Sequence, residues 1–134
     1  MYNLALYYQY KEKDYEQMKI YYLMAIEHNC VDSMYSLGHY YQYKEKNYEL
    51  MKIYYLMAIE HNCVNSMYSL GHYYQYKEKN YELMKKYYLI AIKHNCVDSM
   101  FTLGHYYGDV EKDYKQKRIY YLMAINKKIL FNGN

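Results

Sequence analysis

The chain has 134 residues, 17 basic and 14 acidic side chains for a formal net charge of +3, 26 tyrosines and no proline. Its charges lie in mixed runs such as KEK and form no basic stripe, which argues against a nucleic-acid partner. No apolar run is long enough to span a bilayer, and the start MYNLALYYQYKEK lacks the charged and apolar regions of a signal peptide, so a soluble intracellular protein is expected.

From Met1 onward the sequence returns on itself every 33 residues, so that Leu4, Leu37, Leu70 and Leu103 are one position met four times. Between Met34–Ser66 and Met67–Ser99 only four of 33 positions differ: Ile53, Met57, Glu60 and Asn65 become Lys86, Ile90, Lys93 and Asp98. A fixed period of this size marks stacked supersecondary units, none of which buries its apolar face alone. The repeats run about 1–33, 34–66, 67–99 and 100–134, leave no linker, and predict one domain over 1–134.

The first repeat departs from the others in carrying Ala5 where they have glycine and Leu6 where they have histidine. In the second, Met34, Leu37, Gly38 and Tyr41 follow the i, i+3, i+4, i+7 pattern of an amphipathic helix, predicted over about Ser33 to Lys44. Asp32, Asn65 and Asp98 precede the successive copies of this leading helix as expected N-caps. Gly38 costs about 1 kcal/mol relative to alanine inside a helix, so a neighbouring helix is expected to pass close by it. The trailing helix is predicted from about Tyr48 to His61, on the spacing of Met51, Tyr54, Tyr55, Ala58 and Ile59. Asp14, Asn47, Asn80 and Asp113 are its caps, with Glu16, Glu49 and Glu82 in the first turn. Asn29, Asn62 and Asn95 stand where a left-handed residue would end it. In the fourth repeat Lys128 replaces that asparagine, so the last helix is expected to continue, with Ile129, Leu130 and Phe131 either capping the stack or contacting another chain.

Short connections make neighbouring helices antiparallel, and stacking covers the outer half of each apolar face. The expected fold is all-α: an α-solenoid of four helix-turn-helix repeats, eight antiparallel helices in a right-handed superhelix. Cys30, Cys63 and Cys96 sit one repeat apart, further than the roughly 7 Å a disulfide spans, and three free thiols are expected.

These residues resemble the Sel-one-like repeats, a subclass of the tetratricopeptide superfamily. Leu37-Gly38 and Tyr41 match the first part of that family's unit, Tyr54-Tyr55 its aromatic pair, Ala58 the first of its small residues, and Gly108, Val110 and Asp113 its loop. The loop between the two helices is shorter than the family's, asparagine replaces glycine at the second turn, and one cysteine per repeat replaces the pair found in secreted members.

On the leading helix Tyr35, His39, Gln42 and Tyr43 lie well over 90° around from Leu37, Gly38 and Tyr41 and form a second face. Its four rows are Tyr2, Tyr35, Tyr68, Phe101; Leu6, His39, His72, His105; Gln9, Gln42, Gln75, Gly108; and Tyr10, Tyr43, Tyr76, Asp109. The resemblance implies that this helix lines the concave surface, where relatives hold a peptide. Aromatic area with hydrogen-bonding tips suits that task, although such rows also arise from duplication and can simply stack to stabilise the wall. His28 with Cys30, and the copies at His61/Cys63 and His94/Cys96, supply two ligands where structural zinc takes four, and no third group orients a nucleophile. No metal, cofactor or catalytic residue is therefore expected, and the chain reads as a non-enzyme. The Lys11, Lys13, Lys44, Lys46, Lys77 and Lys79 positions, interleaved with Glu12, Glu45 and Glu78, read as solvated charge. An interaction scaffold for a protein or peptide is the leading expectation. A structural, self-assembling segment and single-stranded RNA binding on stacked tyrosines are the alternatives.

Overall fold

The computed structural model describes residues 1–132, with side chains as far as Leu130, so the expectation placed on Phe131 lies outside the described side chains. Its regular structure is entirely helical: α1 Tyr2–Tyr7, α2 Tyr15–Glu27, α3 Val31–Tyr40, α4 Tyr48–Glu60, α5 Val64–Tyr73, α6 Tyr81–Lys93, α7 Val97–Asp109 and α8 Tyr114–Asn132, with no strand among the described residues. Three leading helices widen at their ends into π turns, Tyr8–Glu12, Tyr41–Glu45 and Tyr74–Glu78. None of the described helices is long and apolar enough to cross a membrane. The chain forms two compact units, Met1–Ser66 and the part from Met67 onward. Within the first, α1 packs on α2, α2 on α3 and α3 on α4; within the second, α6 packs on α7 and α7 on α8.

Each trailing helix starts as its sequence predicts. The side chains of Asp14, Asn47, Asn80 and Asp113 accept from the backbone N–H three residues on, at 3.1–3.2 Å. Helices α2, α4 and α6 end on Asn29, Asn62 and Asn95 with φ of 60, 63 and 65°. The Cys30 N–H bonds to the Ala25 carbonyl at 3.1 Å and that of Asn29 to Ile26 at 2.9 Å, the paired bonds of a left-handed helix stop. Lys128 takes no such conformation, and α8 runs on to Asn132 as expected.

The leading helices start earlier than predicted. The stop at Asn29 hands the chain over at once, and the Met34 N–H already bonds to the Cys30 carbonyl at 3.2 Å. Cys30 and Cys96 are therefore the cap positions, and Asp32 and Asp98 lie inside the first turn, where their charge meets the positive end of the helix dipole. Asn65 likewise lies within α5. Cys30, Cys63 and Cys96 are free, and each thiol accepts a hydrogen bond at 3.2 Å from the buried hydroxyl of Ser33, Ser66 or Ser99.

A second left-handed position joins leading to trailing helix: Lys13, Lys46, Lys79 and Lys112 have φ of 54–57°. Lysine carries no sequence signal for this conformation, which costs a residue with a Cβ about 1–2 kcal/mol. The compensation is backbone bonding, since the Asp14, Asn47 and Asn80 N–H groups each reach back at 2.9 Å to the carbonyl of Tyr8, Tyr41 or Tyr74.

The core of the first unit is built on Met18, Tyr22, Met34, Leu37, Met51 and Tyr55, and that of the second on Met84, Tyr88, Met100 and Leu103, all buried. Burial of such a side chain contributes about 1.5–3 kcal/mol. The expected close approach at Gly38 is present: a Cβ there would lie 2.6 Å from Cδ1 of Tyr55, and at Gly71 2.6 Å from that of Tyr88.

The glutamates expected to be solvated are engaged. In the first unit Lys19 on α2 donates to Glu45 at 2.6 Å, Tyr40 donates to the same carboxylate at 3.0 Å, and the ammonium lies 5.5 Å from the Tyr40 ring centre. Lys85, Glu111 and Tyr106 repeat this clasp between α6 and α7, with the ion pair at 2.5 Å. The lysine hydrogen bond, followed in effect by that of the tyrosine, holds the Glu111 carboxyl below its ordinary value; at Glu45 the Lys19 bond is again the largest influence. A depressed carboxyl stabilises the fold above its unfolded pKa, about 4.3, and that contribution is lost as pH falls through the folded value. Between pH of about 6 and 3, the unfolding free energy of Glu45→Gln/Glu111→Gln should therefore fall less steeply than that of the parent; identical slopes in acid urea titrations would refute the clasp.

Candidate functional site on the leading-helix face

The rows predicted from sequence separate into engaged and open positions. Tyr35 lies half-buried on Tyr55, ring centres 5.8 Å apart, and Tyr68 lies on Tyr88 at 5.8 Å. Tyr2 sits 6.2 Å from Tyr22 at a tilt. These three are the lower layer of the face, packed against the trailing helix.

Above them, His39 is 6.0 Å from Tyr35 and 4.6 Å from Tyr43, and His72 is 6.1 Å from Tyr68 and 4.6 Å from Tyr76. The i, i+4 spacing on one helix brings each triplet into a continuous tilted stack. Partial burial in that stack lowers the pKa of His39 and of His72, so both imidazoles are neutral at pH 7, one nitrogen donating and the other accepting. At the outer end the rings of Tyr10, Tyr43 and Tyr76 stand open; Tyr43 is 58% exposed.

The glutamines of this face are engaged by the trailing helices, Gln42 buried and Gln9 and Gln75 half-buried. Gln42 is buried and accepts the Tyr55 hydroxyl at 2.7 Å; Gln75 accepts that of Tyr88 at 2.8 Å and Gln9 that of Tyr22 at 2.5 Å. The trailing-helix tyrosine enters the core ring-first, and its hydroxyl finds a polar partner there. Burial raises the pKa of Tyr22 and of Tyr88 well above the usual phenol range, so these hydroxyls remain donors.

The fourth repeat is built differently. Gly108 stands in the glutamine's place, and the stem of Lys117 fills its space, 2.5 Å from where a Cβ would be. Tyr121, the counterpart of Tyr55, turns its hydroxyl to His105 instead, 2.8 Å from Nδ1, while Phe101 meets its ring edge-on at 5.6 Å. His105 and Phe101 are thereby tied to α8, and Asp109 replaces the outer tyrosine. The aromatic triplet is thus complete at Tyr35/His39/Tyr43 and Tyr68/His72/Tyr76 and absent from α7.

In the first unit the open rings border a cleft. A space of about 290 Å³ is lined by Tyr10, Lys13, His39, Tyr43 and Lys44, with Gln9 at its base, and a second of about 160 Å³ shares Gln9, Tyr10 and His39 and adds Tyr35 and Ser36. Lys13 and Lys44, read from the sequence as solvated charge within KEK runs, line this cleft; Lys13 has a left-handed φ of 54°, and the Lys44 ammonium lies 5.0 Å from the ring centre of Tyr15. Among the described residues no three His, Cys, Asp or Glu side chains converge in a way that could hold a metal ion. Compared with known proteins, the chain matches no family model and no curated protein.

Proposed function

We propose that the chain is a non-enzymatic interaction module, a right-handed α-solenoid of the Sel-one-like kind that holds a peptide segment of a protein partner on its leading-helix face. The observation that carries this reading is the open ring of Tyr43 stacked on neutral His39 beside a 290 Å³ cleft. A wall that served stability alone would bury that ring or replace it with a charged side chain; a tyrosine held at low entropy cost on a rigid helix is the residue that recurs at binding hot spots. The binding mode would be preorganised, because Tyr35 and Tyr55 fix the stack from below before any ligand arrives.

Selection of a random peptide display library against the protein tests this. Enriched peptides should lose at least about tenfold in affinity, 1.4 kcal/mol, against Tyr10→Ala/Tyr43→Ala/Tyr76→Ala, whose circular dichroism spectrum should match the parent's because the three rings are largely exposed and the helix core is untouched. Peptides that bind the triple variant equally well, or no enrichment at all, would refute the reading.

A further inference from the structure

We infer that the chain associates head to tail with further copies of itself, the outer face of α8 in one copy receiving α1 of the next. This stands apart from the peptide-binding reading and uses the opposite ends of the chain.

The inference rests on two helix contacts that the molecule already makes. Between α2 and α3, Tyr15 packs on Tyr40 with ring centres 5.4 Å apart, and Lys19 clasps Glu45. Between α6 and α7, Tyr81 packs on Tyr106 at 5.1 Å, and Lys85 clasps Glu111. The same half-contacts recur on α8 and on α1, where among the described residues no helix supplies the other half. By the period of 33, α8 presents Tyr114 and Arg118 where α2 presents Tyr15 and Lys19, and α1 with its π turn presents Tyr7 and Glu12 where α3 presents Tyr40 and Glu45.

Their exposure follows the same correspondence. Leu37 and Leu103 are fully buried, yet Leu4 is 42% exposed; Tyr40 and Tyr106 are 4% exposed, yet Tyr7 is 45%. On α8, Tyr114 is 63% exposed, and Ile125, the counterpart of half-buried Ile26, is exposed as well. Glu12 already accepts the Tyr7 hydroxyl at 2.7 Å, the arrangement in which Glu45 accepts Tyr40 while also holding Lys19. It is oriented for a cation. Arg118 has no carboxylate within ion-pair distance among the described residues, and its planar fork suits a carboxylate better than lysine does. The two ends therefore match in shape, through tyrosine against tyrosine and isoleucine beside leucine, and in charge, through arginine opposite glutamate. Because the two surfaces differ, the contact is heterologous and extends from copy to copy instead of ending at an isologous dimer.

Sedimentation velocity of the full chain across a concentration series up to about 1 mM, where even a contact with a millimolar Kd is half formed, reads this directly. The weight-average mass should rise without a plateau at the dimer and fall with added salt. Arg118→Glu alone and Glu12→Arg alone should each remain monomeric with unchanged helicity, and their equimolar mixture should assemble, since each variant's altered end then meets its opposite charge. Deleting residues 129–134 should leave assembly intact. A parent that stays monomeric, a dimer that ignores both charge reversals, or assembly lost only on the deletion would each overturn the inference, the last two by pointing to an α8-to-α8 contact or to the apolar tail.

Discussion

Changing Tyr55 to alanine is expected to cost about 3–5 kcal/mol of unfolding free energy, a large part of the 5–15 kcal/mol typical of a domain. The ring is fully buried, supports Tyr35 from below at 5.8 Å and fills the space that Gly38 leaves open. Its removal opens a cavity between α3 and α4, beside Gly38 and beneath the Tyr35 ring. Tyr55→Phe is the finer probe: it keeps the ring but strands the buried Gln42 carbonyl that the hydroxyl now serves at 2.7 Å, a loss of about 1–3 kcal/mol. Adding Gln42→Leu to Tyr55→Phe should recover most of that loss, because the stranded acceptor goes with it. Urea unfolding followed by circular dichroism measures all three. A Tyr55→Ala cost below about 1 kcal/mol, or a double variant no better than Tyr55→Phe, would contradict the packing described.

Gly38→Ala should destabilise as well, although alanine is the better helix former by about 1 kcal/mol. The added methyl would meet Cδ1 of Tyr55 at 2.6 Å and Cε1 at 2.8 Å, and a fully buried ring has nowhere to go, so overpacking of about 1–3 kcal/mol outweighs the propensity gain. The sign depends on that ring alone. In a Tyr55→Ala background the clash disappears and the helix term remains, so Gly38→Ala should there stabilise by about 1 kcal/mol. A Gly38→Ala variant that is more stable in both backgrounds would show that α3 and α4 pack less closely than the structure has them.

The helices, their trailing-helix caps and their asparagine stops were legible because each depends on residues within one or two turns of chain. Asp14 needs only the N–H of Gln17, and Asn29 only its own tolerance of a positive φ. The continuation of α8 past Lys128 followed from the same local rule. The left-handed lysines were not legible, since nothing in their side chains favours that conformation. The π turns escaped as well, although Tyr7 with Glu12, Tyr40 with Glu45 and Tyr73 with Glu78, each five residues apart, were a spacing that could have announced them.

For the candidate site, periodicity placed Tyr35, His39, Gln42 and Tyr43 together on one side of α3, and that much is a property of the helix. Which of them is exposed is settled 13 residues away, where Tyr55 brings a hydroxyl that must be paired and holds Gln42 in a buried position. The exchange of partners at Tyr121, which ties up His105 once Gly108 replaces the glutamine, is of the same kind. Local sequence decides where a side chain sits on its own helix. Whether that side chain remains available depends on the polar groups that a neighbouring helix buries against it, because a buried hydroxyl or carboxylate costs too much to leave without a partner.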